Sequence, residues 1–155
     1  QNYGARNYER ITKSVKKIFI ADIVVSVIMS LTLYLIGLPT VSLFMTEPNA
    51  AIMAAAKQYI IATAECYSLV AILFVLRNTL QGLGFTYSNM IAGAGEFFGR
   101  LAVAFIFTKI IGFNAVCYAA PAAWLLADIP LAIIYLSKHK KFKALAAEQK
   151  AKNNI

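Results

Sequence analysis

Two carboxylates stand in long apolar stretches, with no basic residue three or four positions away on either side. They are Glu65 and Asp128. An isolated carboxylate in a medium of low dielectric constant is costly when ionised, so it tends to take up a proton or a cation. Asp128 and Glu65 are therefore candidates for cation coupling, and Tyr67 is a candidate to face a cavity beside them. The alternative is that a base on another helix, such as Arg77 or Arg100, holds each carboxyl.

A third apolar stretch carries an acid and a base at helical spacing. Glu96 precedes Arg100 by four residues, which is the favourable order for an ion pair on one helix face. We interpret this pair as structural, and we expect Arg77 to extend toward the nearby membrane surface. Gly95 and Gly99 form a small-xxx-small pattern, which predicts that another helix packs closely there.

No residues are spaced as a catalytic or metal site requires. The sequence has no recognisable Ser/His/Asp, Cys/His or paired-carboxylate arrangement, and Cys66 and Cys117 are not at metal-ligand spacing. We therefore predict no enzymatic activity, no catalytic residue, no metal and no cofactor apart from a coupling ion.

The composition indicates that the bilayer is the solvent of this chain. Of its 155 residues, 60% are hydrophobic and 14% are charged, with a mean hydropathy of +0.66. Soluble domains contain about 25% charged residues. This excludes a soluble enzyme, a disordered tail and a conventional nucleic-acid binder, although the net charge is +8.

Four apolar runs are each long enough to cross the membrane as a helix. They cover about 18–38, 58–80, 88–111 and 114–136, within an apolar region of 18–137, so we predict an all-α polytopic membrane protein. Gly37 and Pro39 are expected to end the first run, and Pro121 and Pro130 to interrupt the fourth, with a kink at Pro130.

The basic residues are concentrated in the two flanking segments, 1–17 and 138–155. Positive charge collects on the cytoplasmic side, so both ends are expected there, and this requires an even number of spans. The last segment, 142–152, can form a helix at the interface with its lysines toward anionic lipid.

Two short motifs flank the apolar runs, and Glu96, Arg100 and Trp124 follow them in the chain. The residues of the two motifs are Gln1, Asn2, Gly4, Ala5, Arg10, Gln81, Gly82 and Gly84. Taken in order, these residues resemble the multidrug and toxic compound extrusion (MATE) family of transporters, in which the first motif resembles a cytosolic loop and the second a short cytosolic turn.

The resemblance implies a fold of twelve spans in two six-helix bundles, with this chain supplying the last four spans of the C-terminal bundle. The start at Gln1 fits a piece of a longer protein. The implied protein is a multi-pass protein of the cell (inner or plasma) membrane that exports small organic, often cationic, compounds in exchange for Na⁺ or H⁺. Its partners would be the lipid bilayer, the N-terminal bundle and the two preceding spans.

Two other functions remain open from the sequence. One is a lipid-linked oligosaccharide flippase of the same superfamily, which would have a more cationic central cavity, with Arg77 and Arg100 as the available bases. The other is a stand-alone four-helix membrane interaction module, against which the isolated carboxylates argue.

Overall fold

The structure is a computed structural model that describes residues 1–47 and 49–153, and every regular element in this part of the chain is a helix. The π-helical turn Val103–Phe107 joins α4 to α5. The helices are α1 (Tyr8–Ser42), α2 (Ala50–Glu65), α3 (Tyr67–Gly82), α4 (Tyr87–Ala102), α5 (Thr108–Ile111), α6 (Phe113–Cys117) and α7 (Ala119–Asn153).

The predicted all-α, membrane-spanning class is confirmed. Three continuous stretches, Tyr8–Ser42, Tyr87–Ile111 and Ala119–Lys152, are long and apolar enough to cross a bilayer, and α2 with α3 makes a fourth if this bent pair counts as one span. Large apolar side chains are exposed along much of α1, including Ile28 and Leu35. Such a surface is stable against lipid but not against water.

The first helix is longer at both ends than the apolar run that predicts it. Asn7 caps its N-terminus by accepting a hydrogen bond of 3.2 Å from the backbone N–H of Arg10. The helix passes through Pro39 and ends at Ser42, so the expected end at Gly37 and Pro39 is wrong. The hydroxyl groups of Thr40 and Ser42 donate to the backbone carbonyls of Ile36 and Pro39 in this last turn.

The second run does not form one straight helix. It begins at Ala50, where Asn49 caps two backbone N–H groups, and it bends by 46° at Cys66 between α2 and α3. The Ser30 hydroxyl of α1 donates to the Ala64 carbonyl at 2.7 Å. In a continuous helix that carbonyl would accept the N–H four residues later, so the side chain competes with the helical ladder and favours the break.

The fourth run also differs from its expected range. Gly112, at φ +59, ends α5, the short α6 follows, and the long final helix starts only at Ala119. Pro121 lies in the first turn of α7, where helices tolerate a missing N–H, and the helix continues uninterrupted past Pro130.

The basic C-terminal segment is the continuation of α7, and it packs against the segment around the start of α1. Phe142 is only 4% exposed and stacks on Tyr8 with ring centroids 5.5 Å apart. Glu9 binds Lys150 at 3.1 Å and Lys13 at 2.7 Å, and these hydrogen-bonded ammonium groups lower the pKa of the Glu9 carboxyl. The two basic ends of the chain therefore lie together at one end of the bundle, which we call the basic end.

The core lies between α3, α4 and α7. Leu73, Leu80, Ala92 and Leu131 are buried in one cluster formed by these helices. A Cβ atom on Gly95 would lie 2.9 Å from the carbonyl oxygen of Leu126 on α7, and one on Gly99 would lie 2.8 Å from the Cα of Ala123. The predicted close helix contact at the two glycines is confirmed.

Candidate coupling site

Three helices, α3, α4 and α7, contribute a charge cluster of two acids and two bases, of which Asp128 is the buried member. Arg77 on α3 contacts Glu96 on α4 through Nη2 and Oε1. Arg100, one turn further along α4, places Nη2 3.7 Å from the other carboxylate oxygen of Glu96. The fourth member is Asp128 on α7. Arg77, which is expected from the sequence to extend toward the membrane surface, also pairs across helices with Glu96.

The two arginines that pair with Glu96 differ in burial. The side chain of Arg77 is 25% exposed and that of Arg100 is 58% exposed. The expected Glu96–Arg100 pair is therefore present, but it is the longer and more exposed of two ion pairs. The Nε atom of Arg77 is buried and has no hydrogen-bond partner among the described residues. Arg77 thus keeps one unused donor while it binds Glu96.

Asp128 is the most deeply buried charged residue that the structure describes. It is 6% exposed, and neither carboxylate oxygen has a hydrogen-bond partner in residues 1–47 and 49–153. Its position follows from the helix contact, since the preceding residue, Ala127, packs against Gly95 beside Glu96. Arg77 is near enough to act on Asp128 electrostatically without bonding to it. The arrangement leaves the Asp128 carboxylate and the Arg77 Nε–H group buried without hydrogen-bond partners among the described residues.

Glu65 lies at the break between α2 and α3, in a different environment. Its two carboxylate oxygens accept long hydrogen bonds of 3.4 Å from Tyr34 on α1 and Tyr118 before α7. A groove of about 180 Å³ opens beside it and is lined by small and hydroxyl-bearing residues, including Ser26, Ser30 and Ser68. Tyr67 begins α3 two residues later and is half-buried, but it is not among the residues that line this groove.

The motif residues at the N-terminus and after α3 meet at the basic end. The backbone oxygens of Gln1 and Asn2 accept from the N–H groups of Ala5 and Asn7, which closes the first loop around Gly4. The second loop turns at Gly84, at φ +87. Gln1 and Asn2 line the same groove as Gly82, with Asp22 and Asn78 deeper in it. Gln81 and Arg10 are exposed nearby.

Sequence reasoning missed Arg77 as a partner of Glu96, and Tyr34 and Tyr118 as partners of Glu65. The available signal was that Arg77 and Glu96 lie on consecutive helices joined by a short turn. The run bounds alone would place the two residues at different depths, because Arg77 is three residues from the end of its run and Glu96 is eight residues from the start of the next.

Comparison with known proteins identifies the family. The family described as MatE matches residues 1–106, which is more than half of the chain and includes Glu65, Glu96 and Arg100. No curated protein and no solved structure matches the chain significantly. Members of this family are membrane transporters and not enzymes. The apolar helices, the two basic-end loops and this match lead to one conclusion: the chain belongs to the MATE family of membrane transporters.

Proposed function

We propose that the chain is part of a secondary active exporter that moves small organic, often cationic, compounds out of the cell in exchange for Na⁺ or H⁺. The single observation that carries this proposal is Asp128, which is buried in the helix core with both carboxylate oxygens unpartnered among the described residues. A buried ionised group without a partner is costly. Such a group is suited to bind and release a cation during a transport cycle.

The charge cluster supplies a route from cation binding to helix movement. When Asp128 carries a proton or a cation, Arg77 remains with Glu96. When the cation leaves, the ionised carboxylate attracts the guanidinium, whose Nε donor is unused. If the Arg77 side chain moves from Glu96 on α4 toward Asp128 on α7, the contacts among the three core helices change. In transporters built from repeats, such local changes favour one of two arrangements of the bundles.

The helix break supplies a second polar position at membrane depth. Glu65 with two tyrosine hydroxyls resembles the surroundings that transporters use at interrupted helices, where carboxylate and carbonyl oxygens face a water-filled cavity. We propose that Glu65 contacts the coupling ion or a cationic substrate, and that Tyr67 contributes from the start of α3. The N-terminal bundle and two further spans would complete the cavity.

The experiment replaces Asp128 by Asn in the full-length transporter, reconstituted in proteoliposomes. Asparagine imitates the protonated carboxyl in shape, so folding and substrate binding should persist. Ion-driven efflux of ethidium should fall on the order of tenfold. This corresponds to a loss of about 1.4 kcal/mol of coupling free energy between the ion site and the substrate site. Efflux is measured against external pH and Na⁺, and membrane abundance is measured by immunoblot.

The matched control is Glu148→Gln, which neutralises an exposed carboxylate bound to Lys152 in the C-terminal segment. It should leave efflux unchanged. If Asp128→Asn transports like the wild type at every pH and Na⁺ concentration, Asp128 has no part in coupling, and Glu65 becomes the remaining carboxylate to test.

The charge cluster favours an exporter over a lipid-linked oligosaccharide flippase. A flippase for an anionic headgroup needs uncompensated positive charge in its cavity. In the described part of the chain, Arg77 and Arg100 both face Glu96. Their charge is therefore partly neutralised where a phosphate would have to bind.

A further inference from the structure

A groove between α1 and α7 at the basic end has positive charge at its rim and apolar side chains below it. Its volume is about 490 Å³. The rim carries three lysines, Lys13 and Lys16 from α1 and Lys143 from α7. The lower wall is formed by Phe19, Ile20 and Tyr135.

Along the membrane normal, these residues change from basic to apolar, as the bilayer changes from lipid headgroups to acyl chains. Lys13 and Ile20 are separated by two helical turns, a rise of about 10 Å. The apolar run of α1 begins at residue 18, so the lysines stand where the hydrocarbon region ends. Ile20 and Val27 continue the apolar wall as exposed side chains. A fatty acyl chain could lie along this wall while its headgroup remains at the rim.

The charge of the rim is positive after its neighbours are counted. No carboxylate of residues 1–47 and 49–153 lines the groove. Glu9 binds Lys13 from outside it, which leaves Lys16 and Lys143 without an acidic partner among the described residues. His139 accepts or donates a 3.4 Å hydrogen bond with Tyr135. Burial and the nearby Lys143 lower the pKa of His139.

We propose that this groove binds one anionic phospholipid of the bilayer, with its phosphate between Lys16 and Lys143 and an acyl chain against Phe19 and Ile20. Basic recesses between spanning helices are suited to anionic headgroups because lysines at the membrane surface attract them. The lipid would join the first and last helices of this chain at the basic end, where the Tyr8–Phe142 stack and the Glu9–Lys150 pair also connect them.

The test measures lipid retained by the purified full-length transporter, using native mass spectrometry with phosphatidylglycerol and phosphatidylcholine of identical acyl chains. The wild type should prefer phosphatidylglycerol. In the double variant Lys16→Gln, Lys143→Gln, the ratio of bound phosphatidylglycerol to bound phosphatidylcholine should fall by about tenfold. The charge-retaining variant Lys16→Arg with Lys143→Arg should keep it.

The matched control is Lys140→Gln with Lys141→Gln, which removes the same charge from exposed positions of α7 outside the groove. It should behave like the wild type. Equal losses in both glutamine variants would mean general attraction to a charged surface and would overturn the proposal. An equal affinity of the wild type for both lipids would overturn it as well.

A second measurement does not depend on the lysine variants and is independent of transport. A photoreactive benzoylphenylalanine replaces Ile20, and the transporter is irradiated in membranes that contain phosphatidylglycerol. A lipid adduct supports the proposal. A crosslink to another helix of the transporter would mean that protein fills the groove, and the lipid site would be refuted whatever the outcome for Asp128.

Discussion

At the scale of single residues, burial and partners separate the four members of the charge cluster. Glu96 sits between two bases, of which Arg77 is the more buried and the closer. Asp128 has no hydrogen-bond partner among the described residues. Removing Arg77 would leave the two carboxylates with Arg100 alone, which is 58% exposed, whereas removing Arg100 would leave the Arg77–Glu96 pair intact. The same substitution should therefore have unequal effects at the two arginines.

We predict that Arg77→Gln destabilises the protein far more than Arg100→Gln. Breaking a buried pair costs about 3 kcal/mol or more, and we expect this for Arg77. Exposed pairs contribute about 1 kcal/mol or less, and we expect this for Arg100. The measurement is the melting temperature in detergent, with membrane abundance as a second readout.

Glu96→Gln serves as the reference, since it removes the partner of both bases and should be at least as harmful as Arg77→Gln. Similar losses at the two arginines, or a larger loss at Arg100, would contradict the burial order. A variant that accumulates normally and yet loses efflux would move that residue from a structural role into the transport pathway.

At the scale of helices, local patterns predicted the close contact of α4, because the spacing of Gly95 and Gly99 already defines a face without side chains. The pair of Glu96 and Arg100 was also predictable, because a spacing of four residues places both side chains on one face of a helix. The break at Cys66 was not predictable, because the stretch around it contains neither Gly nor Pro. It depends on the Ser30 hydroxyl, which only the packing of α1 brings to the Ala64 carbonyl.

Two glycines on α4 offer a matched test of the contact with α7. A Cβ at Gly95 would meet backbone atoms of Leu126 and Ala127 within 3.1 Å, whereas a Cβ at Gly93 would meet nothing within 4 Å. We predict that Gly95→Ala destabilises the protein by about 1–3 kcal/mol through overpacking. Gly93→Ala should be neutral or stabilise it by up to about 1 kcal/mol, because alanine is the better helix former.

Thermal unfolding of both variants in the same detergent provides the comparison. Because backbone atoms cannot move aside as a flexible side chain can, the difference should persist in lipid. Equal stability of the two variants would mean that α4 and α7 are further apart than the structure places them.

At the scale of the whole molecule, apolar run length predicted membrane-spanning helices, and the described residues form three of them, or four if α2 and α3 count as one span. Charge distribution predicted that both chain ends share one side. The structure brings those ends together through Phe142, Tyr8 and the Lys150–Glu9 contact. The sequence did not predict that α7 would continue to Asn153. The apolar run that predicts the last span ends where the first lysines begin. The helix continues because Phe142 packs against α1 and buries one face of the basic segment. The position of Asp128 beside Arg77 likewise depends on the packing of three helices.

The last prediction assigns the basic end to the cytoplasm. The basic end contains residues 1–17 and the C-terminal part of α7, and the opposite end contains the turn before Asn49 and the segment around Asn114. Lysine and arginine are retained on the cytoplasmic side during insertion. Single cysteines at positions 13, 49 and 150 of the full-length transporter, with Cys66 and Cys117 replaced by alanine, are labelled in intact cells with a membrane-impermeant maleimide. Position 49 should react from outside, and positions 13 and 150 should react only after the membrane is opened. Because the two tails contact each other, they must behave alike. Reaction of either tail from outside would invert the orientation, whereas opposite results for the two tails would contradict the contact between Glu9 and Lys150 itself.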